Sequence, residues 1–243
     1  MGYYYPIWYD PTFLLFIVPV MILGLIAQAM VKSKFDKFSK VRISRGLAGA
    51  QVAREILDSN GLSWVSIEET NGFLSDHYDP RSRVLRLSPQ VARTPSVAAA
   101  GVAAHESGHA LQHAAGYVPL QVRSAMVPAV QFGSWLGPLI IMGGIMLEAL
   151  MGAFNLGNTI AWLGVAVFGM VAVFSFVTLP VELDASARAK RLLYQYNIVD
   201  QRELDGVNQV LSAAAWTYVV AAIAALAQVL RWILILSSTS RRR

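Results

Sequence analysis

Apolar and polar positions divide this chain on two scales. On the long scale there are four uncharged runs, residues 12–31, 126–147, 159–181 and 206–230. Each reaches the roughly 20 residues a helix needs to span hydrocarbon. Pro128, Pro138 and the glycines at 133, 137, 143 and 144 are tolerable in a membrane helix and allow close packing or a kink. Residues 148–158, which hold no Lys or Arg, are expected to form a loop between the second and third runs.

On the short scale, the polar stretch between the first two runs carries the periods of a small folded part. Residues 46–57 have helical spacing and end near Asn60-Gly61, whereas residues 64–68 alternate like a strand. Residues 74–77 and 84–87 predict two short strands joined by the turn-rich segment 78–82. Such a hairpin would offer an edge to which an extended peptide could add as a strand. Thr94-Pro95-Ser96 supplies an N-cap followed by a proline at the first helical position, and Gly116 a stop after Ala115. Asp200-Gln201-Arg202-Glu203 is a capping box for the last helix.

Composition and charge sharpen this picture. A mean hydropathy of +0.47 with 14% charged residues over 243 positions describes a membrane protein with a modest aqueous part. The net charge of +5 does not point to nucleic acid, because the bases gather at the ends of the apolar runs. Lys32, Lys34, Lys37, Lys40, Arg42 and Arg45 follow the first run, and Arg188, Lys190, Arg191 and Arg202 follow the third. The positive-inside rule then places the N-terminus outside and residue 32 onward in the cytoplasm. Tyr3, Tyr4, Tyr5, Trp8 and Tyr9 suit an interfacial belt, and the first run lacks the basic start and cleavage site of a signal peptide, so it reads as a retained anchor. The fourth run is expected to cross at a tilt with Arg231 snorkelling to the interface, although the charges at Arg231 and Arg241 favour the opposite arrangement. There is no cysteine, so a metal would be held by His, Asp or Glu.

One segment carries candidate chemistry of that kind. His105-Glu106-Ser107-Gly108-His109 fits H-E-x-x-H, in which residues four apart share a helix face and two imidazoles can reach one Zn²⁺. The carboxylate after the first His is then placed to act as general base. Zinc needs a further protein ligand and an open position. His113 lies on the same line, but eight residues of straight helix rise about 12 Å while Zn–N bonds are about 2 Å, so it suits a supporting or surface role. His77 sits beside the expected hairpin and could touch substrate. Glu182, at the end of an apolar run after Pro180, is the remaining candidate, since a carboxylate there must face protein or a polar cavity. Two spans separate it from His109, which returns the chain to the same side.

The segments Leu74-Ser75-Asp76-His77-Tyr78-Asp79-Pro80-Arg81, Leu85-Arg86-Leu87-Ser88-Pro89, HESGH with the following Ala-Leu-Gln-His, and Leu179-Pro180-Val181-Glu182, together with the anchor, resemble the YugP-like neutral zinc metallopeptidases of bacterial membranes. The chain is more distantly similar to HtpX-type membrane gluzincins. The resemblance implies that His105, His109 and Glu182 are zinc ligands and Glu106 the catalytic base. It departs from the HtpX-type pattern four residues after the ligand Glu, where an acid is replaced by Ser186. Asp184 lies about 200° round the helix from Glu182 and cannot simply take over that task, so the group orienting the ligand histidines is not identified. Arg188 and Tyr194 join His77 and His113 as candidates for stabilising developing charge.

These readings predict a mainly α, polytopic membrane protein with a small α+β, zincin-like part in the cytoplasm. The expected divisions are an anchor at 1–31, the zincin-like part at 32–123, a two-span hairpin at 124–181, a helix at 182–205 supplying the third ligand, and a hydrophobic helix with basic tail at 206–243. The expected activity is zinc-dependent endopeptidase chemistry at the cytoplasmic face of the bacterial inner membrane, with one Zn²⁺ per chain and a role in membrane protein quality control. The expected partners are the lipid bilayer, protein or peptide substrates, and other membrane proteins or a second copy, but no nucleic acid. The alternative is a non-catalytic membrane scaffold or adaptor with a structural zinc. A transporter is disfavoured by the scarcity of intramembrane charge and of internal repeats.

Overall fold

A computed structural model describes residues 11–72 and 75–241. The N-terminal aromatic belt (Tyr3, Tyr4, Tyr5, Trp8, Tyr9), Leu74 of the expected hairpin and the last two arginines lie outside the described residues. The elements are α1 (Pro11–Phe38), α2 (Gly49–Ser59), β1 (Ser66–Glu69), β2 (His77–Asp79), β3 (Val84–Leu87), the single turn α3 (Pro89–Ala92), α4 (Val97–Ala114), α5 (Val118–Met151), α6 (Phe154–Gln195) and α7 (Gln201–Arg241). The fold is mainly α, and α1, α5, α6 and α7 are long and apolar enough to cross a membrane. The chain divides into two compact units.

The first unit comprises, of the described residues, 11–26, Val122–Leu179 and 218–241. Small residues let α5 and α6 approach closely: a Cβ on Gly144 would stand 2.6 Å from the Ala161 nitrogen, and one on Gly164 2.7 Å from Ile141. The expected loop at 148–158 shrinks to Gly152 and Ala153, with Gly152 at φ +64°. The reason is that a polar or glycine-bearing composition does not by itself end a helix whose backbone groups are already satisfied internally. Leu14, Leu15, Met21, Ile22 and Leu25 of α1 are all exposed, an apolar surface that suits lipid rather than water.

The second unit comprises Ala27–Gln121 and Pro180–Thr217. Its three-stranded sheet has the order β1-β3-β2, with β1 parallel and β2 antiparallel to β3, so that Ile67 and Tyr78 both register with Leu85. β2 therefore lies at one edge. Leu85 and Leu87 of β3 enter a core with Val52, Ile56 and Leu57 of α2 and the alanines 98, 99, 100, 103 and 104 of α4. An Ala-rich helix buries little area per residue, but its thinness lets neighbours close in on every side, so α4 is the central strut of this unit.

The ends of α4 follow from local chemistry. Ser96, not Thr94, is the N-cap, its Oγ accepting from the Ala99 N–H at 3.2 Å. Pro95 stays outside the helix because this segment is extended: the Ile43 N–H donates to the Pro95 carbonyl, and the Val97 N–H to the Val41 carbonyl. At the other end Gly116 sits at φ +62°, the Gly116 N–H donates to the His113 carbonyl and the Tyr117 N–H to the Gln112 carbonyl, which is a Schellman closure. The capping box at 200–203 forms, with the Glu203 N–H donating to Asp200 Oδ1 and the Asp200 N–H to Glu203 Oε2, both at 2.8 Å. Pro180 lies inside α6, which runs on to Gln195.

Candidate metal centre

α4 places His105 and His109 one turn apart on one face, their ring centroids 4.8 Å from each other and their planes nearly perpendicular. α6 brings Glu182 to the same point. Its Oε2 lies 3.2 Å from His105 Nε2 and 3.5 Å from His109 Nε2. The carboxylate is 2% exposed. The two helices reach this distance because the residue just before the motif's second His has no side chain: a Cβ on Gly108 would stand 2.7 Å from the Ala185 carbonyl oxygen.

The donor set fits a zinc ion. Bonds of about 2.1 Å in a tetrahedron put neighbouring ligand atoms about 3.4 Å apart, close to the two separations just given. All three donor atoms lie within 4.8 Å of one another. Two imidazole nitrogens and a carboxylate oxygen also match the ligand types zinc takes in hydrolytic sites. Burial disfavours protonation of His109, yet the hydrogen bond to Glu182 and the charges of Glu106 and Glu182 outweigh it and hold the His109 pKa above the ordinary imidazole value.

Glu106 is nearly buried, at 8% exposure, and among the described residues its carboxylate has no hydrogen-bond partner. It is a carboxylate left free beside the cluster. Asp76 adds to the local negative charge. Burial raises the Asp76 pKa, the hydrogen bonds from Ser88 N–H (2.7 Å) and Oγ (3.1 Å) oppose this, and the charge of Glu106 adds to it.

The other residues singled out from the sequence fall into distinct places. Ser186 Oγ lies 3.1 Å from His105 Nδ1. Asp184 touches neither histidine; its Oδ2 accepts from Arg188 Nε at 2.6 Å and from Gln112 Nε2 at 2.8 Å. His113 is outside the donor cluster, its Nδ1 2.9 Å from the Tyr78 hydroxyl. His77 is exposed on β2, with Nδ1 donating to the Ser75 carbonyl at 2.8 Å. Tyr194 is exposed. Sequence reasoning missed Gln112, which is fully buried and hydrogen-bonded to His109. Its position three residues after His109, on the same face of an otherwise uncharged stretch, was the available signal.

The profile of the family described as "Putative neutral zinc metallopeptidase" matches residues 13–237. The chain is also 44% identical over 223 residues to the "Putative membrane protease YugP" of Bacillus subtilis (strain 168), covering 92% of this chain and 96% of that protein. No solved structure matches it. The resemblance first carried by a few short segments thus extends over nearly the whole length, and the chain belongs to the family described as "Putative neutral zinc metallopeptidase".

Proposed function

We propose that this protein is a multi-pass membrane zinc endopeptidase, with its site on the cytoplasmic face of the bacterial inner membrane. The observation that carries the reading is the convergence of His105, His109 and Glu182 beside Glu106, whose carboxylate has no hydrogen-bond partner among the described residues. A structural site has no use for such a carboxylate. His105, His109 and Glu182 hold one zinc per chain. Bound zinc supplies Lewis acidity toward a carbonyl oxygen and toward water near neutral pH. Glu106 takes the proton of the attacking water and delivers it to the leaving amine. The placement of basic residues after the first and third apolar runs supports the cytoplasmic orientation.

The substrate is an extended chain, and β2, at the sheet's edge, is available for strand addition. Unfolded and membrane proteins are the class met beside lipid, which supports a role in quality control. In this reading residues 1–31 anchor the chain, 32–123 and 182–205 build the site, and 124–181 and 206–243 are membrane helices. The first test is metal content on detergent-purified wild type and Glu182→Ala. About one zinc per wild-type chain and a marked loss in the variant is the expected result; equal zinc in both removes Glu182 from the site.

A further inference from the structure

Each histidine of the centre has a second ring nitrogen, and the two meet different chemistry. His105 Nδ1 faces the Ser186 hydroxyl. A hydroxyl donates or accepts, so this contact leaves the His105 tautomer open. His109 Nδ1 lies 3.0 Å from Gln112 Oε1, and here the tautomer follows from the surroundings. Gln112 Nε2 lies 2.8 Å from the Val181 carbonyl oxygen and 2.8 Å from Asp184 Oδ2. A backbone carbonyl and an ionised carboxylate only accept, so the NH₂ of Gln112 must face them and its oxygen must face His109. An amide oxygen also only accepts, so His109 Nδ1 must carry a hydrogen. The lone pair of the neutral ring then lies on Nε2, the nitrogen directed toward Glu182. Gln112 is 0% exposed, so water does not compete for these bonds.

We propose that Gln112 is the positioning residue of the metal centre: it sets the His109 tautomer, aims Nε2 at the metal, and ties α4 to the turn of α6 that carries Glu182. The inference rests on the zinc reading above. It also gives Asp184 a task the helix geometry denies it directly. Asp184, held by Arg188, acts on His109 through Gln112.

The test uses the full chain in detergent, with zinc affinity measured by competition against a chromophoric chelator and folding by circular dichroism and thermal melting without metal. Gln112→Leu should weaken zinc binding about 10- to 100-fold. The double variant Gln112→Glu/Asp184→Asn should recover most of that loss. It exchanges amide and carboxylate, keeping an acceptor for His109 Nδ1 and a donor from residue 184 toward residue 112, and gives up only the bond to the Val181 carbonyl. Ser186→Ala should lose less than Gln112→Leu. Wild-type affinity in Gln112→Leu overturns the proposal, and so does a folded double variant as weak as Gln112→Leu, since packing alone would then explain the loss. If Gln112→Leu does not fold, the double variant decides: near-wild-type affinity supports the role and a large loss overturns it. A wild type that binds no zinc, or Glu182→Ala binding as tightly as wild type, instead overturns the metal centre itself.

Discussion

Gly108 of α4 and Ala185 of α6 meet backbone to backbone, with room for a hydrogen at position 108 and nothing larger: a Cβ there would lie 2.7 Å from the Ala185 oxygen and 3.2 Å from its Cα. This contact sits one residue before His109 and three after Glu182, so the separation of the helices also sets the separation of these two side chains. Gly108→Ala should cost about 1–3 kcal/mol by overpacking and weaken zinc binding as well. Gly101→Ala, whose Cβ would meet only the Val207 side chain at 3.3 Å, is the control that should spare the metal. Melting and zinc titration of both variants check this, and unchanged zinc affinity in Gly108→Ala would show that the close approach is dispensable.

Glu106→Gln keeps the size of the side chain and removes the carboxylate proposed as the base. Zinc content should stay at the wild-type level while cleavage of an unfolded protein substrate falls by at least about 10²-fold. The readouts are proteolysis in detergent and metal analysis on the same preparation. Full turnover in the variant would remove Glu106 from the mechanism.

Asp76 makes stability depend on pH with a defined sign. Its native pKa is raised, mainly by burial, so the group binds its proton more tightly folded than unfolded. That contribution is fully present below the unfolded value of about 3.9 and is lost as pH rises through the raised native value. Asp76→Asn keeps an acceptor for the Ser88 N–H but cannot ionise. Relative to this variant, the metal-free wild type should lose stability as pH rises across that window. Parallel pH dependences of melting in the two proteins would contradict the assignment.

Glu203 closes a clamp within the second unit. Its Oε1 accepts from the Ser44 N–H at 2.6 Å and from Ser44 Oγ at 2.5 Å, while Oε2 accepts from the Asp200 N–H. Glu203→Ala should lower stability by about 1 kcal/mol, because three hydrogen bonds from partly exposed donors lose their shared acceptor. Zinc affinity at a temperature where the variant is folded should be unchanged. Denaturant melts and chelator competition separate the two effects.

What the sequence by itself determined is whatever depends on near neighbours. Four long apolar runs specify four long helices, because a peptide backbone in hydrocarbon satisfies itself within a helix. HESGH on a helix places two imidazoles on one face, and the capping box at Asp200 and Glu203 sets where the last helix starts. The approach of Glu182 to His109 after two long apolar runs was an expectation of the sequence too, and the two side chains do meet. The tertiary structure decided what depends on how closely separate segments approach. The close Gly108–Ala185 contact is what lets His109 Nε2 and Glu182 Oε2 come within 3.5 Å. Only that approach brings Gln112 of α4 to Val181 and Asp184 of α6, giving a buried amide its role. The parallel pairing of β1 with β3 and the joining of Tyr78 to His113 are likewise long-range. Helix ends, too, were settled by distant partners, as when Ile43 captured the Pro95 carbonyl and moved the start of α4 to Ser96. Periodicity reports which face of a segment is buried, while the distance to what covers it belongs to the packed chain.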